Sequence, residues 1–183
     1  MTRYGRVQPL TADHELESFD CGSQEQTSWL RRHARQGHQS DTAKVYVVCR
    51  RDDRRVIGYY ALAAGSLAHD AVPPRITKGI GRYPVPVVIL TRLGVDNSEQ
   101  GRGLGSALVR DALLQTASIA ERFGVRALLV HAESGRAAAF YVRLGIGFES
   151  SPTDPLHLVL LMKDLRQAIR DAATLGAADG NQT

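Results

Sequence analysis

Residues 84–106 read PVPVVILTRLGVDNSEQGRGLGS. The first half is a long apolar run broken only by Arg92, which predicts a central strand over Val85–Val95. The second half sets Gly101, Gly103 and Gly105 at alternate positions ahead of a helical pattern over residues 104–123. There Leu104, Ala107, Leu108, Ala112 and Ile119 share one side, interrupted by Asp111. A strand–turn–helix junction exposes the unpaired amides of the helix's first turn, and glycine lets a phosphate approach them closely. The turn lacks the Lys-Ser/Thr pair of a nucleoside-triphosphate loop. It also sets its third glycine at the wrong offset, and too late in the chain, for a dinucleotide fingerprint. On these residues alone, anion binding and a plain tight turn both remain open.

Working outward, residues 9–20 read as a loop entering a short helix. Residues 24–36 form a second helical piece in which Leu30 and Ala34 share a face with Trp29 nearby. AKVYVVCR (43–50) predicts a strand, RDDR (51–54) its turn, and RVIGYYALAAGSL (55–67) the antiparallel partner. Residues 69–84 are a basic loop punctuated by proline and glycine. VRALLVHA (125–132) is a buried strand, and SGRAAAFYVRLG (134–145) a short helix capped by Gly145. A turn over residues 151–155 leads into a last strand, LHLVLLM (156–162). The order predicts an α/β fold, a mixed central sheet flanked by helices, over residues 1–162. An appended amphipathic helix through Leu165, Ile169 and Ala172 follows, with a mobile tail from Gly176 expected to complete residues 163–183.

A length of 183 residues predicts one domain with a substantial core. No 18-residue apolar run is present to span a bilayer, so no membrane association is expected. The first residues, MTRYGRVQPL, lack an apolar signal core, so secretion is not expected either. Cys21 and Cys49 are too few for a disulfide framework, and two isolated thiols fit a cytoplasmic location. His14, His33, His38, His69 and His157 show no ligand spacing, so no metal is expected.

The net charge is +4, and only Lys44, Lys78 and Lys163 are lysines among 23 basic residues. Residues 71–95 hold no acid but include Arg75, Lys78, Arg82 and Arg92. A second concentration runs through Arg31, Arg32, Arg35, Lys44, Arg50, Arg51, Arg54 and Arg55. Arginine's rigid fork suits phosphate oxygens. Composition alone fits an arginine-rich genome with solvated faces equally well.

The stretch VILTRLGVDNSEQGRGLGSALVRDAL (88–113), followed by VRALLVHAESGRAAAFYVRLGIGFES (125–150), resembles the GNAT acetyltransferase family. The family's acetyl-CoA motif, Gln/Arg-x-x-Gly-x-Gly/Ala, matches Gln100, Gly103 and Gly105; its later aromatic signature matches Phe140, Tyr141, Gly147 and Phe148. FDCGSQEQTSWL (19–30), RVIGYYALAAGS, RLGVD, GLGSALVRDAL and ALLVHA look more closely like the GNAT-type toxins of bacterial toxin–antitoxin modules. That resemblance covers residues 19–162. It implies an acetyl-CoA-dependent enzyme that acetylates the α-amino group of aminoacyl-tRNA and blocks translation. It also implies a homodimer and a ribbon–helix–helix antitoxin that neutralises the toxin and represses the operon with it. Arg102 departs from the more usual lysine but keeps the charge, and the C-terminal extension is longer than typical.

Acetyl transfer needs a bound thioester, a neutral amine, stabilisation of the developing oxyanion, and a proton for the departing thiolate. The resemblance gives the last role to Tyr141, whose phenol, with an unperturbed pKa of about 10, stays protonated near neutrality. Read without the family, Tyr141 is a core-edge tyrosine. Phe140 reads as packing or as a wall of the cofactor slot. Main-chain groups at Leu93 and Val95 are expected beside the acetyl and pantetheine arms. Gln100, Gly101, Arg102, Gly103, Leu104, Gly105 and Ser106 are expected around the pyrophosphate.

The general base stays open among His131, Glu133 and Asp96. An aminoacyl ester's weakly basic amine also allows for none. Arg75, Lys78, Arg82 and Arg92 are candidate tRNA phosphate contacts, with Arg31, Arg32 and Arg35 able to widen the track. Two other readings remain: a GNAT enzyme acting on a small amine, peptide or drug, and a non-enzymatic nucleic-acid-binding or antitoxin-bound scaffold.

Overall fold

A computed structural model describes residues 3–179 of the chain. Its fold is mixed α/β, with a central sheet and flanking helices. Among the described residues the strands are β1 (Gln8–Pro9), β2 (Lys44–Cys49), β3 (Val56–Leu67), β4 (Val85–Val95), β5 (Ala127–His131), β6 (Glu149–Ser150) and β7 (His157–Leu161). They are ordered β1-β2-β3-β4-β5-β7-β6. The chain groups into two compact units, Met1–Ala63 with Leu90–Ala112, and Ala64–Ile89 with Leu113–Thr183.

In the first unit the expected hairpin is present. β2 and β3 pair antiparallel from Lys44↔Leu62 to Cys49↔Val56, with an irregularity between Val48 and Cys49. Asp52 takes the left-handed conformation in the connecting turn (φ 61°), which aspartate tolerates better than most residues. Val45, Val47, Tyr59 and Ala61 face a core completed by Leu10, Leu16, Phe19, Leu30 and Ala34.

Two expectations for the N-terminal region are corrected. Residues 9–20 form no helix. Their backbone bonds instead to neighbouring segments, Leu10 N to Val45 O at 2.9 Å and Glu15 N to Arg54 O at 2.9 Å. The Arg35 guanidinium donates to the carbonyls of Thr11, Ala12 and His14. Tertiary pairing and three buried apolar side chains therefore override a weak local helical pattern.

The following helical piece is divided. α1 (Gln24–Arg32) starts at Ser23, whose Oγ accepts from Gln26 N, and ends at His33 (φ −120°); α2 (Ala34–Gln39) follows. Leu30 and Ala34, one from each, still reach the same core.

Helix α4 (Leu104–Ala120) buries Leu104, Leu108 and Ala112 of the expected stripe, but Ala107 is exposed and Ile119 half-buried, and Val109 and Leu113 are buried in addition. Asp111, which breaks that stripe in sequence, accepts a hydrogen bond from the buried Tyr60 hydroxyl. It is the partner a buried phenol requires.

In the second unit, β5 and β7 pair antiparallel from Ala127↔Leu161 to His131↔His157. Val72, Ile76, Val85, Val87, Leu129 and Val159 form its core. The segment 69–84 is more ordered than its composition predicts. It holds a 3₁₀ turn (His69–Ala71) and a short α3 (Pro74–Thr77) with Ile76 buried. Arg126 donates to the carbonyls of Ile76 (2.8 Å) and Lys78 (3.1 Å), satisfying groups that no ladder serves.

Helix α5 (Gly135–Arg143) is capped by Ser134 and closed through Gly145 (φ 67°), as its sequence predicts. α6 runs Met162–Asp179, so the expected tail from Gly176 is helical through Asp179; its last residues, 180–183, lie outside the described residues. Among the described residues no helix is long and apolar enough to cross a membrane.

Candidate functional site

The glycine turn lies in the first unit, directly after β4. Asp96 ends the strand and caps a 3₁₀ turn, Asn97–Glu99, by accepting from Ser98 N at 3.0 Å and Ser98 Oγ at 2.7 Å. Asp20 N donates to its other oxygen at 3.0 Å. Burial opposes ionisation of Asp96, but the hydrogen bonds from Asp20 and Ser98 outweigh it and hold the pKa below the ordinary value. With both oxygens engaged, this carboxylate works as a cap, which weakens its candidacy as a base.

Gly101 (φ 73°) and Gly103 (φ 82°) both adopt left-handed backbone, and a Cβ built on either meets no protein atom within 4 Å. Conformation therefore requires glycine here, while the space over the turn stays open for a ligand. The Gly103 carbonyl accepts the amide of Ala107 at 3.1 Å. By helix geometry, the amides of Leu104, Gly105 and Ser106 then lie in the first turn, without intrahelical acceptors. Arg102 is about half exposed, and its Nε lies 4.0 Å from Glu99.

The Gln100 side chain is exposed but folds back onto the strand end. Its amide nitrogen donates to Cys21 O (2.9 Å), Val95 O (3.0 Å) and Asn97 Oδ1 (3.2 Å), bracing the turn against the strand end.

Leu93 and Val95 are half-buried, and between them Gly94 is buried. A Cβ at Gly94 would lie 2.8 Å from Cε1 of Tyr59, 3.3 Å from Phe19 and 3.4 Å from Cys21. Glycine within an apolar strand marks such a close approach, a signal the sequence carried but the motif reading did not use.

Glu99 was also missed. It has 0% exposure, yet its carboxylate is fully partnered: Oε1 accepts from Arg50 Nε at 2.7 Å and from Arg3 at 3.2 Å, and Oε2 from the Tyr4 hydroxyl at 2.9 Å. Burial raises its pKa, but the bonds from Arg50 and Tyr4 prevail and hold it below the ordinary glutamate value.

Tyr141 belongs to the second unit. It is 6% exposed on α5, packed edge-on against Phe140 (5.1 Å between centroids) and Phe148 (5.5 Å). Burial alone pushes its phenol above the usual value of 10. His131 stacks on its cross-strand neighbour His157 with centroids 4.2 Å apart.

The four basic residues assigned to tRNA divide into two kinds. Arg75 pairs with Glu149 at 2.6 Å and with Asp164. Arg92 pairs with Glu25 and lies 5.7 Å over the Trp29 ring. Lys78 and Arg82 are exposed.

The chain belongs to the acetyltransferase (GNAT) family, whose sequence profile matches residues 10–146. Within it, the chain is closely related to toxins of toxin–antitoxin modules. It is 46% identical over 171 residues to the tRNA-acetylating toxin of Mycobacterium tuberculosis, covering 93% of this chain and 100% of that protein. Its fold matches AtaT complexed with acetyl-methionyl-tRNAfMet at a TM-score of 0.82 and 30% identity, over 89% of this chain and 98% of that one. A mutant AtaT toxin bound to the C-terminus of the antitoxin AtaR and acetyl-CoA matches at 0.76 and 27% identity, over 90% and 97% of the two chains.

Gly94→Ala should lower the unfolding free energy by about 1–3 kcal/mol, because the added methyl overlaps the Tyr59 ring. Urea unfolding checks this, and a wild-type midpoint would show that the strand end yields freely.

Proposed function

We propose that this chain is an acetyl-CoA-dependent N-acetyltransferase toxin that acetylates the α-amino group of aminoacyl-tRNA and so blocks translation. The observation that carries this reading is the match along 93% of the chain to a tRNA-acetylating toxin. The open glycine turn at the end of β4 supports it. The reading includes a cytoplasmic protein that pairs with a second copy of itself and with a ribbon–helix–helix antitoxin.

Bound acetyl-CoA supplies an activated acetyl thioester, and the residues of the turn fit its pyrophosphate. Gly101 and Gly103 leave the approach clear, the first-turn amides of α4 donate, and Arg102 adds positive charge. Gln100 holds the turn in shape through its bonds to Cys21 O and Val95 O. Main-chain groups of Leu93 and Val95 would flank the acyl arm. Tyr141 Oη–H would supply a proton to the departing sulfur. Its raised pKa keeps that proton in place through neutral and mildly alkaline pH. The aminoacyl ester's amine is weakly basic, so a neutral fraction exists near neutrality without a dedicated base. Lys78 and Arg82 make the main phosphate contacts of the tRNA, while Arg75 and Arg92 contribute less because each already holds a carboxylate partner.

Incubation with labelled acetyl-CoA and either charged or deacylated tRNA tests the reading directly. Label should enter charged tRNA alone, and efficient acetylation of simple amines with no charged tRNA modified would overturn it.

Gly103→Val should weaken acetyl-CoA binding at least tenfold while circular dichroism stays native, since the side chain would fill the approach and oppose φ 82°. Unchanged affinity by calorimetry would remove the turn from the cofactor site.

Tyr141→Phe should leave acetyl-CoA affinity near normal and reduce turnover about 10²-fold. In the wild type, deprotonation of the phenol should cause no loss of turnover up to about pH 10, because burial raises its pKa above the ordinary value. Turnover of the variant within twofold of wild type, measured where chemistry limits the rate, would reject the proton-donor role.

Replacing Lys78 and Arg82 together with alanine should raise KM for charged tRNA and flatten its salt dependence by about two log units per log unit of salt. KM for acetyl-CoA should hold steady, and an unchanged salt slope would move the RNA surface elsewhere.

A further inference from the structure

The glycine turn has little packing of its own, since the Cβ positions of Gly101 and Gly103 face open space. Its shape must therefore be set from its flanks. On the helix side Leu104 is buried. On the strand side Gln100, itself exposed, is bonded as described, and the Glu99 side chain is buried.

The Glu99 partners come from distant parts of the sequence. Arg50 directly follows β2 and bridges to Tyr4, and Arg3 and Tyr4 lie near the N-terminus. That segment is itself held to β2 by Gly5 N to Cys49 O at 2.9 Å and Arg51 N to Arg3 O at 3.2 Å. A fully buried carboxylate with two guanidinium groups on one oxygen and a hydroxyl on the other resists displacement, because a shift would leave the carboxylate unpaired away from water.

We propose that Glu99, gripped by Arg50, Tyr4 and Arg3, is the positioning residue of the cofactor turn, and that through it the N-terminal segment sets acetyl-CoA affinity. This rests on the acetyl-CoA reading of the turn.

Charge and position predict opposite effects here. Three guanidinium groups, of Arg3, Arg50 and Arg102, surround one carboxylate. Neutralising Glu99 would by electrostatics alone make the turn more attractive to a phosphate. If Glu99 acts by position, the same change relaxes the turn and weakens binding.

The test uses the full chain, with acetyl-CoA affinity measured by calorimetry and KM and kcat measured with charged tRNA. Glu99→Gln should bind acetyl-CoA about tenfold more weakly, the scale of one lost charge-assisted hydrogen bond. Its kcat at saturating acetyl-CoA should stay within about twofold of wild type, which separates positioning from a general loss of fold. Tyr4→Phe, which removes a single hydroxyl, should weaken binding about threefold with the same split.

Affinity equal to or tighter than wild type in Glu99→Gln overturns the proposal. If that variant does not fold, Tyr4→Phe decides, and unchanged acetyl-CoA affinity there overturns it too. A wild-type chain that binds no acetyl-CoA overturns the function proposed above. That result is distinct from variants that merely match a binding wild type.

Discussion

The site depends on a turn that must hold left-handed backbone at Gly101 and Gly103 without contacts of its own. A packed turn would be rigid but closed to a ligand, and an unbraced one would be open but would lose order on its own. The chain resolves this by moving the restraints one residue upstream. Gln100 satisfies a strand carbonyl and a loop carbonyl at once. Glu99, itself fully buried, anchors the backbone through an ion pair with the partly exposed Arg50. The amides at the helix start can then stay open on a backbone whose geometry is set from its flank, which is the preorganisation that anion binding at a helix start would require.

Other breaks in the hydrophobic pattern serve the same region. Asp111 interrupts the stripe of α4 and receives the buried Tyr60 hydroxyl. Gly94 interrupts β4 where the Tyr59 ring needs the space of a side chain. Tyr59 in turn stacks on Trp29 at 6.0 Å and meets Phe19 edge-on at 5.5 Å. The strand end before the turn is thus wedged by aromatic packing, with side chains from α1, β3 and the N-terminal loop all bearing on it.

The long strands were legible because burial writes itself into them. β3, β4, β5 and β7 are apolar over most of their lengths, and no competing pattern exists in those windows. The glycine turn was legible because few backbone arrangements need alternate glycines ahead of a helix, as Gly101 and Gly103 are needed here. β1 and β6, two residues each, carry no periodicity to read. Residues 9–20 looked helical because local spacing cannot register that Arg35 and the edge of β2 would claim their backbone. The bonds of the Gln100 side chain and the burial of Glu99 were hidden for a similar reason. Their partners lie up to 96 residues away, and in a one-dimensional reading Glu99 is simply an acid beside a basic motif.

The same limit governs the arginines. An acid-free interval from residue 71 to 95 reads as one positive track, yet distant acids reach into it: Glu149 and Asp164 for Arg75, Glu25 for Arg92. A paired guanidinium presents little net field to an approaching polyanion, and recruiting it means breaking an existing bond. An exposed, unneutralised cation attracts from a distance and can meet a phosphate without prior loss. Sequence counts charges, whereas the fold decides which of them still have a field to offer. On that ground Lys78 and Arg82 outrank their better-connected neighbours as proposed contacts for a polyanion.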